Sequence, residues 1–300
     1  MAFKSLLRVA LLTTALAVAA PAFAELPAAL RTGHSGPGAY IDLQDLRGFT
    51  DNVVLVDIRS PDRYAAGHIP GAINIPREKV ETPDVNGVIG ETKTYEELEA
   101  VFAAAGLTYD DRVVVYGEKD EGTLTPHSGR FAGKIYVSFD QAGFDKVHIL
   151  DGGVEGWDGE LSTEPTVLAA TDFKLTKTKP YIIDKAYVVA ALEKGDAHIF
   201  DARGTAGYDK GHIPGSINVP FGLQGDANKL NELDGLVAKL AELGIAKDAE
   251  IITTCGWGWA ASDLLAVLKD LGYSNIKLYD GSWTEWVQDP ALPKAGTDFS

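Results

Sequence analysis

The chain contains the same segment twice, and this repetition constrains its fold more than any other feature of the sequence. Residues 53–76 read VVLVDIRSPDRYAAGHIPGAINIP and residues 197–220 read AHIFDARGTAGYDKGHIPGSINVP, so 11 of 24 positions are identical. Further matches pair segments of the two halves: 113–116 with 251–254, and 151–157 with 280–286. A repeat of this length indicates a duplicated structural unit. We therefore predict two domains of the same fold.

Each half alternates short β-branched runs with segments of helical periodicity. Strands are predicted near residues 53–56, 73–75, 113–116 and 147–150, and again near 197–200, 217–219, 250–254 and 276–279. Helices are predicted near residues 94–105, 126–142, 236–243 and 261–271. Strands joined by helices through such short connections imply an α/β fold, with a small parallel sheet covered by helices on both faces in each domain.

The domain boundaries follow from the repeat and from a change in composition. The first domain is predicted over residues 36–161 and the second over residues 183–290. Residues 162–182 contain Pro165, Pro180 and several Thr and Lys residues, which is typical of an interdomain linker.

The first 24 residues have the pattern of a signal peptide. Lys4 precedes an apolar run over residues 6–20, and Arg8 lies near the start of that run. Ala22-Phe23-Ala24 matches a signal-peptidase site before Glu25. The alternative is a membrane anchor, but the run is shorter than the roughly 20 residues that span a bilayer. We therefore expect cleavage, no membrane span in the mature chain, and a periplasmic or secreted protein.

The charge and cysteine content exclude several classes of function. The chain has 27 Lys and Arg residues against 43 Asp and Glu residues, a net charge of −16. A surface this acidic repels nucleic acid, so no nucleic-acid partner is expected. Cys255 is the single cysteine. One cysteine cannot form an internal disulfide, a CxxC redox pair or a thiolate zinc site.

Cys255 lies between a predicted strand and a predicted helix, in the sequence CGWGWAAS. Ligands bind at the carboxyl ends of strands in parallel sheets. Two glycines in the turn allow successive backbone N–H groups to form an anion-binding nest, and the helix N-terminus adds positive charge. The sulfur is therefore expected to be held as a nucleophilic thiolate without a neighbouring histidine. The alternative is a buried, unreactive cysteine.

The repeated D-x-R…GHIPG block, the Cys255 loop and the DGSWTEW segment at residues 280–286 together resemble a tandem-domain rhodanese of the exported bacterial type, in the thiosulfate/3-mercaptopyruvate sulfurtransferase family. The resemblance covers about residues 36–290 and implies that only the second domain is catalytic. It further implies that Cys255 takes a sulfane sulfur from thiosulfate, mercaptopyruvate or another persulfide-type donor. The resulting persulfide would pass sulfur to a thiol, cyanide or a protein acceptor, with no metal or organic cofactor.

Two hypotheses of different class therefore stand side by side. The first is an enzyme, a rhodanese-type sulfurtransferase that turns over with small-molecule acceptors. The second is a non-catalytic persulfide carrier or binding module that serves a specific exported partner. A carrier would load once and discharge only to that partner, so turnover with free acceptors distinguishes the two.

The candidate site consists of Cys255 as the catalytic residue and of substrate-binding residues around it. The substrate-binding candidates are Arg203, Gly256, Trp257, Gly258, Trp259 and Ala260. The resemblance assigns Arg203, of the D-x-R motif, to an anionic substrate, whereas the alternative is a structural ion pair with Asp201.

The histidines of the two GHIPG turns, His68 and His212, are interpreted as hydrogen-bond partners that lock those turns. Their presence in both halves favours this interpretation over a role as a base. In the mercaptopyruvate branch of the family, however, the positions of Asp57 and His68 belong to a proton relay that ends at a serine in the Cys loop.

The loop departs from the family at three positions. Trp257 stands where mercaptopyruvate enzymes carry Ser and thiosulfate enzymes carry Lys, and Gly256 stands where the thiosulfate enzymes carry Arg. Ala260 replaces an Arg of exported bacterial homologues. Without a side-chain cation in this loop, thiosulfate should bind weakly, and two tryptophans favour a bulky or organic donor. Phosphatases of this fold carry an Arg at the position of Ala261, which argues against that activity.

The first half contains no nucleophile, because Gly117 falls opposite Cys255. Residues 117–130 of the first half are nine residues longer than the matching stretch of the second half, so the first half has the longer loop at this place. Residues 118–128 are interpreted either as one wall of the substrate pocket or as an exposed loop. We therefore expect the first domain to be a scaffold for the second.

Overall fold

The computed structural model describes residues 38–85, 87–118, 129–224 and 233–299. The predicted signal peptide and the segment 119–128, the greater part of the predicted pocket wall, lie outside the described residues. Across the described part of the chain, no helix is both long and apolar enough to cross a membrane.

The first domain is a parallel five-stranded sheet with strand order β1-β5-β4-β2-β3. Its strands are β1 (Tyr40–Ile41), β2 (Val53–Asp57), β3 (Ile73–Asn74), β4 (Arg112–Tyr116) and β5 (Val147–Leu150). Its helices are α1 (Leu43–Gly48), α2 (Pro61–Ala66), α3 (Tyr95–Ala104) and α4 (Gly129–Gln141), with a 3₁₀ turn at Arg77–Lys79.

The second domain repeats this arrangement, with a parallel sheet of order β6-β11-β10-β7-β9. Its strands are β6 (Ile182–Ile183), β7 (His198–Asp201), β9 (Ile217–Asn218), β10 (Ile251–Thr254) and β11 (Ile276–Tyr279). Its helices are α5 (Lys185–Lys194), α6 (Thr205–Lys210), α7 (Asp234–Leu243), α8 (Trp259–Asp270) and α9 (Ser282–Gln288), with a 3₁₀ turn at Phe221–Gln224. The α/β prediction of two similar domains with parallel sheets is confirmed.

Local sequence accounts for where several of these helices begin and end. The side chain of Thr94 accepts the Glu97 N–H, and Glu97 accepts the Thr94 N–H in return, so a capping box starts α3. Helices α5 and α7 end at Gly195 and Gly244, both in the left-handed conformation that glycine adopts without steric cost.

The two domains pack against each other through α4 and α8. A Cβ atom on Gly133 would lie 2.6 Å from Cα of Asp263, so these helices approach at backbone contact distance. The Tyr40 hydroxyl donates to Asp263, and the Tyr40 N–H donates to Asp270 at 2.9 Å. Buried apolar residues of both domains form one continuous core across this contact. The first domain is therefore packed tightly against the second and not a separate unit.

The predicted linker and the C-terminal segment are both packed onto the domains. Phe173 is buried against Phe102 and Phe144 of the first domain. Beyond residue 290, β12 (Ala295–Gly296) pairs antiparallel with β8 (Gly211–His212). This short ribbon brings the end of the chain to the edge of the second domain where Cys255 lies.

Candidate active site

Cys255 follows β10 at the carboxyl edge of the second sheet and is only 4% exposed. The neighbouring strand β7 ends at the same level, because Thr254 pairs with Asp201 in the parallel register. Helix α8 begins four residues after Cys255, and its N-cap, Gly258, has φ of 82°. A left-handed glycine thus turns the chain from strand to helix around the sulfur.

The segment after β11 holds the Cys255 loop in place. The Cys255 N–H donates to Ser282 Oγ at 3.1 Å, and the Cys255 carbonyl accepts the Trp283 N–H at 3.0 Å. The Thr284 hydroxyl donates to the Gly256 carbonyl at 2.7 Å. Ser282 has φ of 55°, a conformation unusual for a residue other than glycine. Sequence reasoning missed Ser282 and Thr284, although the repeated Asp-Gly…Trp motif marked their segment.

The backbone N–H groups of residues 256–260 have no hydrogen-bond partner among the described residues. The first N–H groups of any helix are unpaired, and here they belong to the turn that surrounds the cysteine. The Cys255 N–H does not join them, because it donates to Ser282. The N–H groups and the positive end of the α8 dipole provide an anion-binding environment next to the sulfur.

Cys255 lines a cavity of about 540 Å³. The cavity is predominantly apolar, and the structure brings all seven predicted site residues except Gly258 to its wall: Arg203, Cys255, Gly256, Trp257, Trp259 and Ala260. Phe221 and Trp283 add further aromatic surface, and Phe131 comes from the first domain. The ring centroids of Phe131 and Trp259 are 5.1 Å apart, so α4 completes the aromatic wall.

Among the described residues, the charged side chains that line the cavity are Arg203, Lys210 and Asp298. Arg203 is engaged within the protein, because its Nε and Nη2 donate to both carboxylate oxygens of Asp201 at 2.6–3.1 Å. Its guanidinium also lies 4.9 Å from the ring centroid of Trp283. The structural ion pair considered for Arg203 is therefore present, at a place where the guanidinium still faces the cavity.

The predicted turn histidines contact backbone carbonyls of their own turns or of the neighbouring segment. His68 is fully buried, with Nδ1 2.8 Å from the Tyr64 carbonyl oxygen and Nε2 3.1 Å from that of Glu164. The His212 ring stacks on Tyr208, with centroids 3.9 Å apart. These contacts match the predicted turn-locking role.

Among the described residues, the first domain approaches the cavity through α4, whereas residues 119–128 of the segment predicted as a pocket wall lie outside the described part of the chain. The described part of that segment, Glu118, forms ion pairs with Arg59 and Arg63 inside the first domain. Phe131 is the first-domain residue that lines the cavity.

Comparisons with known proteins agree with this geometry. The family described as "Rhodanese-like domain" matches residues 42–160 and 184–289. A thiosulfate sulfurtransferase of Azotobacter vinelandii is 32% identical over 255 residues, covering 80% of this chain and 90% of that protein. A 3-mercaptopyruvate sulfurtransferase of Escherichia coli K12 is 31% identical over 246 residues, covering 77% of this chain and 84% of that protein.

Solved structures give the same fold. The anaerobic ergothioneine biosynthesis enzyme of Chlorobium limicola, in complex with trimethyl histidine, superposes with a TM-score of 0.70 at 22% identity. The match covers 88% of this chain but only 66% of that one, so the chain spans about two thirds of the length of this structural relative. With both halves matched by the family and full-length relatives above 30% identity, the chain belongs to the rhodanese family of sulfurtransferases, as a member with two rhodanese-like domains.

Proposed function

We propose that this enzyme transfers a sulfane sulfur from a small-molecule donor to a thiol or cyanide through a persulfide on Cys255. The observation that carries the proposal is the position of Cys255 in a cavity, inside a turn whose N–H groups at 256–260 are unpaired among the described residues. An anionic persulfide needs the same donors as a thiolate, so one turn serves both states of the sulfur.

The chemistry proceeds in two displacements. The Cys255 thiolate attacks the outer sulfur of the donor, the donor's S–S bond breaks, and the leaving group takes that bond's electron pair. The leaving group is a thiolate when the donor is an organic persulfide and sulfite when thiosulfate is supplied. Cyanide then attacks the outer sulfur of the persulfide, which gives thiocyanate and returns the thiolate. A thiolate acceptor gives a new persulfide in the same way. Neither displacement requires an added oxidant or reductant.

The donor is proposed to be an organic persulfide-type compound and not thiosulfate. Of the two cations that line the cavity in the described residues, Arg203 is already paired with Asp201. The other, Lys210, lines the cavity together with the carboxylate of Asp298. Trp257, Trp259 and Trp283 instead offer apolar and aromatic surface. Aromatic side chains favour organic groups over a strongly hydrated dianion.

The persulfide is tested by intact mass. After incubation with thiosulfate or mercaptopyruvate, the protein should gain the mass of one sulfur atom, and dithiothreitol should remove it. Because Cys255 is the single cysteine, the added mass has one possible thiol carrier. The control is Cys255→Ser, and equal sulfur uptake by that variant would refute the proposal.

Donor preference is tested by steady-state kinetics. The Michaelis constant for thiosulfate should be about millimolar or above, at the upper end of the usual range for enzymes. Ala260→Arg places a cation at the first turn of α8 and should lower this constant, whereas the uncharged control Ala260→Met should not. Saturation of the unmodified enzyme at micromolar thiosulfate would contradict the proposal.

The carrier hypothesis makes a different prediction for the same samples. A persulfide carrier loads one sulfur per chain but does not turn over with free cyanide or dithiothreitol as acceptor. Multiple turnovers with these acceptors exclude a carrier, and a single turnover followed by arrest excludes the enzymatic proposal.

We further propose that the protein is exported, with residues 1–24 removed as a signal peptide. Expression of the full chain in a Gram-negative host and N-terminal sequencing of the periplasmic fraction tests this. The expected N-terminus is Glu25, and recovery of the uncleaved chain in the cytoplasm would contradict it.

A further inference from the structure

A buried carboxylate lies directly beneath the turn that carries Cys255. A Cβ atom on Gly258 would be 2.2 Å from Asp280 Oδ1 and 2.8 Å from the Asp280 carbonyl oxygen. No side chain therefore fits between the turn and Asp280, which is 4% exposed. The Asp280 carboxylate therefore packs directly against Gly258, three residues after the cysteine.

The first domain holds this carboxylate of the second domain. Lys134 of α4 forms an ion pair with Asp280 Oδ1, and the Thr92 N–H donates to Oδ2 at 2.7 Å. Lys134 is completely buried, so its ammonium group has no contact with solvent. A buried ion pair costs free energy to desolvate, and loss of one partner leaves an uncompensated charge in the interior.

The groups that surround this ion pair are acidic on balance. Glu81 and Glu91 of the first domain interact with both charges of the pair, Arg77 interacts with Glu81, and Glu285 of the second domain interacts with Glu91. Burial, opposed in part by Lys134 and Arg77, raises the pKa of Glu81 to about 7. Burial also raises the pKa of Glu91. The guanidinium of Arg77 lies 4.4 Å from the ring centroid of Phe131. Lys134 is thus the cation in direct contact with Asp280.

We infer that Lys134 is a positioning residue for the Cys255 turn, acting from the first domain through Asp280. Its ammonium group fixes the carboxylate under Gly258 and cancels a negative charge that would otherwise oppose the thiolate. The inference rests on the proposed role of Cys255 as the nucleophile. It also gives the first domain a part in the reaction, although that domain has Gly117 and no nucleophile at the position of Cys255.

The test measures the rate at which iodoacetamide alkylates Cys255 as a function of pH, by intact mass. Alkylation reports on this cysteine alone and requires no sulfur transfer, so its outcome is distinguishable from failure of the proposed function. Lys134→Met should shift the midpoint of the profile to higher pH and slow alkylation at pH 7 about tenfold, because an unpaired carboxylate then lies near the thiolate.

Charge balance separates this effect from simple loss of structure. Asp280→Asn should shift the midpoint in the opposite direction, and the double variant should return to within about twofold of the wild-type rate. The matched control is Lys269→Met, which breaks the interdomain ion pair with Asp140 near the far end of α8 and should leave the profile unchanged.

Two results would overturn the inference. One is a Lys134→Met profile identical to that of the wild type. The other is a double variant that alkylates as slowly as Lys134→Met, since a purely structural role predicts no recovery when both charges are removed. If Lys134→Met does not fold, Asp280→Asn decides: a profile that is not shifted to lower pH refutes the inference.

Discussion

The two domains make the same backbone hydrogen bond at equivalent strand ends, which carry Cys255 in the second domain and Gly117 in the first. In the second domain the Trp283 N–H donates to the Cys255 carbonyl at 3.0 Å, and in the first the Val154 N–H donates to the Gly117 carbonyl at 2.9 Å. The segment that follows β11 in the second domain and β5 in the first has a left-handed residue at the same position, with φ of 55° at Ser282 and 57° at Gly153.

The arginine of the D-x-R motif shows how the domains diverge. Arg59 is 5% exposed and pairs with both Asp57 and Glu118. Arg203 makes the same contacts with its aspartate. The second domain has Gly256 where the first has Glu118, so Arg203 has no second acidic partner at that position. The Arg203 side chain is 14% exposed and lines the cavity. The first domain thus has a buried acidic partner for its arginine at the position that Gly256 occupies in the Cys255 turn.

The proposed function places the chemistry in the second domain and leaves a supporting role to the first, and expressing the second domain alone is the strongest test of that proposal. Residues 180–300 expressed alone would expose the face of α8 that packs against α4. Interfaces between domains commonly bury ~600–1,500 Å². We expect the fragment to be insoluble or at least about tenfold less active in sulfur transfer than the full mature chain.

The matching control is the full mature chain purified in parallel. A soluble fragment with undiminished turnover would show that the first domain contributes neither stability nor a pocket wall, and the division of labour between the domains would be wrong.

The buried carboxyl group of Glu81 should make the free energy of unfolding depend on pH. Burial raises the folded-state pKa of Glu81 to about 7 from an ordinary 4.5. Between these values the folded protein retains a proton that the unfolded chain has released, so the free energy of unfolding falls as pH rises. Glu81→Gln should therefore be more stable than the wild type at pH 8, by up to about 3 kcal/mol, and nearly equal at pH 4.5.

Urea denaturation at both pH values measures this difference, with the exposed Glu96→Gln as the control. A stability difference that is the same at pH 4.5 and pH 8 would show that ionisation of Glu81 is not its cause.

Close contact between the domains predicts a cost for the smallest substitution at their helix crossing. Gly133→Ala would normally stabilise a helix, but here its methyl group meets Cα and N of Asp263 at 2.6 and 2.7 Å. We expect a loss of about 1–3 kcal/mol in denaturant unfolding, as for other overpacked sites. Gly48→Ala, with open space around its Cβ position, should cause no such loss.

The smallest expected effect comes from giving the second domain, at position 282, the residue that the first domain has at the matching position. Ser282→Gly reproduces Gly153, relieves the unfavourable φ and removes the acceptor of the Cys255 N–H. One hydrogen bond is worth ~0.5–1.5 kcal/mol, so sulfur uptake should slow by about two- to tenfold with little loss of stability. Ser282→Ala retains the strained backbone and should show the same slowing together with lower stability.

Much of the fold was predictable because its signals are local. The eight strands predicted from apolar runs and the four predicted helices all have counterparts, from β2 at Val53–Asp57 to β11 at Ile276–Tyr279. The two-residue strands β1 and β6 were not predicted, because a segment that short carries no detectable periodicity. The equally short β3 and β9 were predicted because they lie in apolar runs of the repeated segment. The place of β1 and β6 at the sheet edge follows only from pairing with β5 and β11.

The sequence by itself determined that the chain is a duplicated α/β protein and that Cys255 lies at a strand-to-helix turn, since repeats, periodicity and glycine spacing are properties of neighbouring residues. Only the tertiary structure decided what surrounds the sulfur. Ser282 is 27 residues away from Cys255, and Phe131 and Lys134 come from the other domain. Contacts of this kind depend on how α4, α8 and the β11 connection pack in three dimensions, because hydrophobic burial places elements together without regard to their distance along the chain.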